Sequence, residues 1–203
     1  MDADLERLVV GVYDAALDKA RWPGSLAAVC DSLNAVAITI VIADEADGHR
    51  VRMALVHGIP DYAMAEYQAN VQHMDPLPAY ANAHPRQRLI FEHHHTPEPA
   101  ISNSAFHQML EQHTGIRYRM AGKLFAEDGV AAYATLQRTV AQGHPDAETV
   151  GRFTRLLPHL ERAVRIALRI GNLELQAQAA TEALQDIPTA LLLLSADGRL
   201  LYA

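Results

Sequence analysis

The stretch Ala35-Val36-Ala37-Ile38-Thr39-Ile40-Val41-Ile42-Ala43 is apolar almost without interruption and rich in β-branched residues. A strand with one wet face alternates apolar and polar side chains, so a continuous run of this kind predicts a strand covered on both faces. A sheet of such strands needs helices on each side of it. The neighbouring segments supply them. Asp47-Gly48 turns the chain into a second strand, Arg50 to Val56, stopped by Gly58 and Pro60. Upstream, residues 3–33 read as helix: Leu5, Leu8, Val9, Val12, Ala15 and Ala16 recur at helical spacing after Asp4. Arg21-Trp22-Pro23-Gly24-Ser25 interrupts that helix, and Ser25 can cap a second one carrying Leu26, Val29, Cys30 and Leu33.

Beyond Pro60, Asp61 caps a helix through Tyr62, Met64, Tyr67 and Val71. Residues 74–100 hold five of the ten prolines, which predicts a long, mostly irregular excursion with a short strand at Leu89-Ile90-Phe91. Ser102 or Ser104 starts a further helix, ended at Gly115, and two strands follow, Tyr118 to Phe125 and Val130 to Arg138, joined by Glu127-Asp128-Gly129. From Pro145 to about Asp186 the pattern is helical, with Pro158 expected to kink or divide it. Hairpins separated by helices predict an α+β fold: an α/β/α sandwich with a mainly antiparallel sheet and a long C-terminal helix, the build of small-molecule sensor domains. The expected organisation is a sensor over 1–170, a helical stalk over 171–186, and a final segment over 187–203. In that segment Leu191 to Leu194, Asp197-Gly198 and Leu200 to Tyr202 read as a hairpin cut short, as at the front of a longer protein.

Composition narrows the functional classes. Half of the 203 residues are hydrophobic and a fifth charged, as in globular domains, and no apolar stretch reaches the roughly 18 residues of a spanning helix. The acidic opening is no signal peptide, and Cys30 as the sole cysteine excludes an internal disulfide and a cysteine-cluster metal site. The expectation is a cytoplasmic domain that does not meet a membrane. A net charge of −7 argues against phosphate binding, so nucleic acid is not an expected partner of these residues.

Catalytic signatures are wanting: there is no G-x-S-x-G elbow, phosphate-cradling glycine loop or H-E-x-x-H. Cys30 on an apolar helical face reads as a buried, inert thiol. His93-His94-His95 invites a metal or haem reading, but successive residues of an extended segment face opposite ways. His107 and His113, six apart, do not share a helical face, and Glu92 beside the histidines has only adjacency to recommend it as an acid/base partner. The expectation is an exposed polar loop, no metal, no cofactor and no enzyme. The aromatic set is more suggestive. Tyr62, Tyr67, Tyr80, Phe91, Phe106, Tyr118 and Tyr133 flank the sheet or the proline-rich segment; Tyr62, Tyr67, Phe91, Phe106 and Tyr118 with Asp75 form the candidate ligand-binding set. Asp75 also reads, within Asp75-Pro76, as a turn starter or helix cap. In the last helix, Leu157, Leu160, Val164, Leu168, Gly171 and Leu175 form an apolar seam with Arg155, Arg162 and Arg169 at heptad spacing. The end of that helix should outrun the sandwich and favour self-association as a homodimer.

Several stretches in order resemble bacterial LuxR-type transcriptional regulators, in which a sensor precedes a helix-turn-helix. They are Tyr13-Asp14-Ala15-Ala16-Leu17-Asp18 with Arg21-Trp22-Pro23, and Gly58-Ile59-Pro60 through Tyr67 to Asp75-Pro76. Phe106 to Gly115 with the hairpin to Arg138, and Leu156-Leu157-Pro158-His159-Leu160-Glu161-Arg162-Ala163, complete the set. The resemblance covers residues 4–175, and Asp186-Ile187-Pro188-Thr189-Ala190 with the following hairpin looks like the opening of a PAS-like module. It implies a GAF/PAS-like or autoinducer-domain-like sensor of a small-molecule effector, with DNA contacted only through a helix-turn-helix absent from these residues. The family's lactone-binding branch uses a Trp-x-x-x-Tyr and an Asp-Pro pattern. Tyr67 and Asp75 fall on the Tyr and the Asp, but Ala63 and Glu92 stand where that branch has tryptophans. The resemblance therefore implies a related sensor that does not take homoserine lactones. A ligand-free dimerisation or docking module and a haem or metal sensor built on the histidine-rich stretch are the alternatives.

Overall fold

The computed structural model describes residues 3–44, 51–185, 193–194, 197 and 200–202. Five strands form one fully antiparallel sheet in the order β2-β1-β5-β4-β3. They are β1 (Ala37–Asp44), β2 (Val51–His57), β3 (Leu89–Phe91), β4 (Ile116–Glu127) and β5 (Val130–Thr139). The apolar run that predicted a doubly covered strand is β1, an interior strand buried along most of its length. β4 and β5 are joined by Asp128-Gly129, whose φ angles of 52° and 75° are the two positive values that a tight hairpin turn of matching twist requires.

Alternation assigns the two faces of the sheet. Ile38, Ile40 and Ile42 of β1, with Met120, Leu124 and Leu136, pack under α1 (Ala3–Leu17), α2 (Trp22–Ser32) and α8 (Ala147–Gln185) in one continuous dry core. Each such fully buried side chain contributes roughly 1.5–3 kcal/mol. Gly122 lets α8 approach: a Cβ there would sit 2.7 Å from Leu157 Cδ1, well inside van der Waals contact. The second face is covered by α3 (Asp61–Glu66), α4 (Pro76–Ala83), α5 (Glu92–His95), α6 (Glu98–Asn103) and α7 (Ala105–Thr114). This cover is thinner and encloses a cavity.

Four expectations need correction. Residues 74–100 are not a mostly irregular excursion. They hold α4, β3, α5 and the start of α6, because Pro76 and Pro99 occupy the first turns of their helices, where a missing N–H costs nothing. For the same reason α2 starts at Trp22-Pro23, ahead of Ser25. His93, His94 and His95 are a helical turn and not an exposed loop: His93 and His95 are half-buried, and His93 and His94 contact Phe91. Pro158 does not divide α8. It lies on the exposed side, where water can satisfy the carbonyl it frees, while Leu156, Leu157 and Leu160 hold the buried side.

The seam of α8 splits at about Gly171. Leu157, Leu160 and Val164 are fully buried, whereas residues 172–183 are exposed, Leu173 and Leu175 by 55% and 66%. The helix thus runs about 20 Å past the sandwich. Leu193–Leu194 and Leu200–Tyr202 pair antiparallel as β6 and β7, and the segment 186–190 lies outside the described residues. No described helix is long and apolar enough to cross a membrane.

Candidate functional site

Between the second face of the sheet and helices α3, α4 and α7 lies a cavity of about 590 Å³, within the range of small-molecule sites. Its floor is the odd-numbered face of β1 and β5: Thr39, Val41 and Ala43 beside Ala131, Tyr133, Thr135 and Gln137. One wall is the segment after α3, where the helix widens into a single π turn, Tyr67–Val71, before a 3-10 turn, Gln72–Met74. Such widened turns recur at functional sites because they re-aim side chains. Phe106 and Leu110 of α7 close another side.

The polar end of the cavity is built around Arg119 of β4, whose side chain is 6% exposed. Its Nη1 and Nη2 donate to Asp75 Oδ2 and Oδ1 at 3.0 and 2.9 Å, a bidentate fork, and its Nε donates to Glu92 Oε2 at 2.9 Å. Nη2 also contacts Glu92 Oε1, which pairs with His107 Nε2 at 3.0 Å. The guanidinium carbon sits 4.5 Å from the centre of the Phe106 ring, a cation–π contact made strong by exclusion of water. Tyr67 donates its hydroxyl to Asp75 Oδ2 at 3.3 Å. One guanidinium therefore ties together α5, α7, the Asp75 cap of α4 and the π turn.

Electrostatics follow from that geometry. Burial opposes ionisation of Glu92, but Arg119 and His107 outweigh it and hold the carboxyl at about 2. Burial likewise disfavours the Arg119 cation, and the Asp75 and Glu92 carboxylates overcome it, so the guanidinium is charged throughout. Burial first, and then the Asp75 carboxylate, push the Tyr67 hydroxyl above its ordinary value, so it remains a donor.

Asp75 has no unused acceptor position. Oδ1 accepts from Leu77 N–H at 3.0 Å, capping α4, and from Arg119; Oδ2 accepts from Tyr67 and Arg119. The cap reading of this residue is realised, and its carboxylate is at the same time the anchor of the arginine.

Of the six candidate ligand residues, Tyr67, Asp75 and Phe106 line the cavity together. Tyr62 is 61% exposed, with its hydroxyl donating to the His113 carbonyl at 3.2 Å. Phe91 pairs with Met120 across the β3–β4 ladder and so points to the face that α8 covers. Tyr118, one residue from Arg119, also turns away from the cavity, its ring tilted at 44° to that of His144 with the centroids 4.0 Å apart. A strand's period of two decides the placements of Phe91 and Tyr118, and aromatic content along the sequence does not carry it. The sequence reading missed Arg119, His107 and Gln137. An arginine inside the apolar strand Ile116–Glu127 was a signal that could have been followed, since a buried cation requires buried carboxylates near it. Among the described residues, no group of three or more His, Cys, Asp or Glu is placed to hold a metal ion.

No family model and no curated protein matches the sequence. Solved structures do match. CepR2 from Burkholderia cenocepacia, an N-acylhomoserine lactone-dependent LuxR family transcription factor, aligns over 81% of this chain and 94% of its own, with a TM-score of 0.59 at 17% identity. SdiA in complex with octanoyl-rac-glycerol aligns over 82% of this chain and 64% of its own, with a TM-score of 0.52 at 15% identity. A GAF domain of a phosphoenolpyruvate-protein phosphotransferase from Coxiella burnetii aligns over 84% of this chain and 98% of its own, with a TM-score of 0.54 at 11% identity. At these identities the likeness speaks to architecture. The chain has the fold of LuxR-type ligand-binding domains and of GAF domains.

Proposed function

We propose that this chain is a small-molecule-sensing, dimerising regulatory domain of a LuxR-type transcriptional regulator. The observation that carries the reading is the asymmetry of the two sheet faces: one is packed with apolar side chains, while the other bounds a cavity of about 590 Å³ with a charged network at one end and a floor of mixed polar and apolar side chains. An effector there touches Tyr67, Phe106 and the sheet, and Arg119 joins that polar end to α4, α5 and α7. A ligand that favours one arrangement of this cover over another shifts the balance between two states, and the coupling equals the difference in its affinity for them. The exposed tail of α8, with Leu173 and Leu175 facing solvent, is the surface through which two copies pair and report the state. DNA contact belongs to a separate helix-turn-helix segment, in keeping with the net charge of −7.

Thermal-shift screening against a panel of small apolar and amphipathic metabolites tests the sensing reading. A ligand at a hundred times its Kd adds about 2.7 kcal/mol to stability. For a chain of this size that raises the melting temperature by roughly 5–10 °C. A panel with no stabiliser would overturn ligand sensing.

A further inference from the structure

We propose that α5 is an acid-sensitive latch on the cover of the cavity: its histidines keep the turn docked while they are neutral and release it when they gain protons. The inference goes beyond ligand sensing and adds the proton as a second input to the same cover.

α5 is a single turn, Glu92-His93-His94-His95, clamped from two sides by further titratable rings. On one side the His93 ring centre lies 4.3 Å from that of His94 and 4.0 Å from that of His144, which sits in the loop between β5 and α8. The Tyr118 ring of β4 lies 4.0 Å from His144 in turn. On the other side His95 stacks at 3.8 Å on Tyr80 of α4, which also stacks at 4.1 Å on His84. Five of the chain's 11 histidines thus meet around one turn of four residues.

Neutral imidazoles pack on one another and on tyrosine as flat, weakly polar rings. Protonation reverses that balance, because imidazolium rings 4.0–4.3 Å apart repel. The nearest carboxylate, Glu92, is already committed to Arg119 and His107. At His93, burial, His144 and His94 outweigh Glu92 and hold the ring below its ordinary 6.5. At His95, burial is the largest effect. Glu92, Asp75 and the face of Tyr80 favour the cation there, whereas Arg119 and His84 oppose it, and the result is again a lowered value. The His95 Nε2 is buried without a hydrogen-bond partner, while Nδ1 lies 3.0 Å from Thr96 Oγ1. An imidazolium donates from both nitrogens, so the charged ring would leave Nε2–H without an acceptor. Both rings bind protons more weakly in the docked turn than in a released one. Docking is therefore at full strength above about pH 6.5 and weakens as the pH falls below it.

The consequence reaches the cavity through Glu92, which begins the same turn and whose carboxylate meets Arg119 and His107. Release of α5 withdraws that carboxylate, and Arg119 keeps only Asp75 of its two anionic partners.

Hydrogen exchange read by mass spectrometry at pH 7.5 and 5.5, with labelling times scaled to the intrinsic rate and EDTA present, is the test. Protection of residues 89–104 should fall roughly threefold or more at pH 5.5, the size expected of repulsion between partly exposed charges, while residues 153–164 of α8 keep theirs. His144→Gln, which takes no proton, should hold the fall below about twofold, whereas His144→Lys, a permanent cation facing His93, should keep it at about threefold or more. Both variants alter an exposed side chain, and their melting temperatures at pH 7.5 are measured first. Equal protection of residues 89–104 at the two pH values overturns the proposal. So does a loss spread evenly over 89–104 and 153–164, or an equal response in the Gln and Lys variants.

Discussion

Replacing Arg119 by methionine removes the guanidinium and keeps the length of the side chain. The change deletes three charge-assisted hydrogen bonds of 2.9 to 3.0 Å and the contact to Glu92 Oε1. The Asp75 and Glu92 side chains, 8% and 1% exposed, are left without their cation. Removing one partner from a buried ion pair costs roughly 3–5 kcal/mol. At 2–4 °C per kcal/mol for a chain of this size, the melting temperature should fall by roughly 10 °C, within bounds of about 6 and 20 °C. The pH dependence identifies the cause. In the native protein Glu92 is depressed from 4.5 to about 2. That difference corresponds to about 3 kcal/mol of stability, present above pH 4.5 and lost as the pH falls through 2. In Arg119→Met the opposing pull of the cation is gone and only His107 still favours the Glu92 carboxylate, so less stability is lost as the pH falls. The gap between the two proteins should thus be widest at pH 7 and narrow steadily by pH 3, read as melting temperatures by circular dichroism. Arg119→Lys, which keeps the charge and loses the fork, should fall between them. A variant within 3 °C of the native protein at pH 7, or a gap of constant width from pH 7 to 3, would refute the reasoning.

The remaining expectations concern the dry face and the tail. Gly122→Ala forces Leu157 aside in a filled core and should cost about 1–3 kcal/mol by urea denaturation; an unchanged midpoint would show that α8 can withdraw freely. Burial, with a smaller contribution from Asp31, pushes the Cys30 thiol up to about 12, so roughly 10⁻⁴ of it is thiolate at pH 8. Alkylation should accordingly be negligible in the native protein and rapid in denaturant, and fast labelling of the folded chain contradicts the burial. Leu173→Glu with Leu175→Glu should shift the protein to monomer in light scattering at tens of micromolar without lowering its melting temperature. Equal masses for the two proteins would remove α8 as the pairing surface.

Elements whose identity depends on near neighbours were legible in the sequence. β1 follows from its apolar β-branched run, the Asp128-Gly129 hairpin from residues that accept positive φ, and the end of α7 from Gly115 at φ 70°. The proline-rich segment was misjudged because proline forbids a helix interior and favours a helix start, and composition alone does not separate the two. The candidate site was legible in part. Tyr67, Asp75 and Phe106 share the cavity, while Tyr62, Phe91 and Tyr118 face elsewhere. For Phe91 and Tyr118 that sorting depends on pairing register, and a shift of one residue would exchange the faces; for the other four it depends on how their helices pack over the sheet.

The sequence by itself determined most of the layers: the strands, the helices of the first face and α7, the hairpin turn, and an acidic composition unsuited to phosphate. Only the tertiary structure decided that the polar end of the cavity is a closed network. Arg119 meets Asp75 and Glu92 from 44 and 27 positions away, and His107 reaches Glu92 from 15. Local propensity acts over a few residues and carries no information about such pairings. The antiparallel register of β3, β4 and β5, with α7 packed above, brings them together where water is excluded. There an unpaired charge is too costly to leave, and each member holds the others in place.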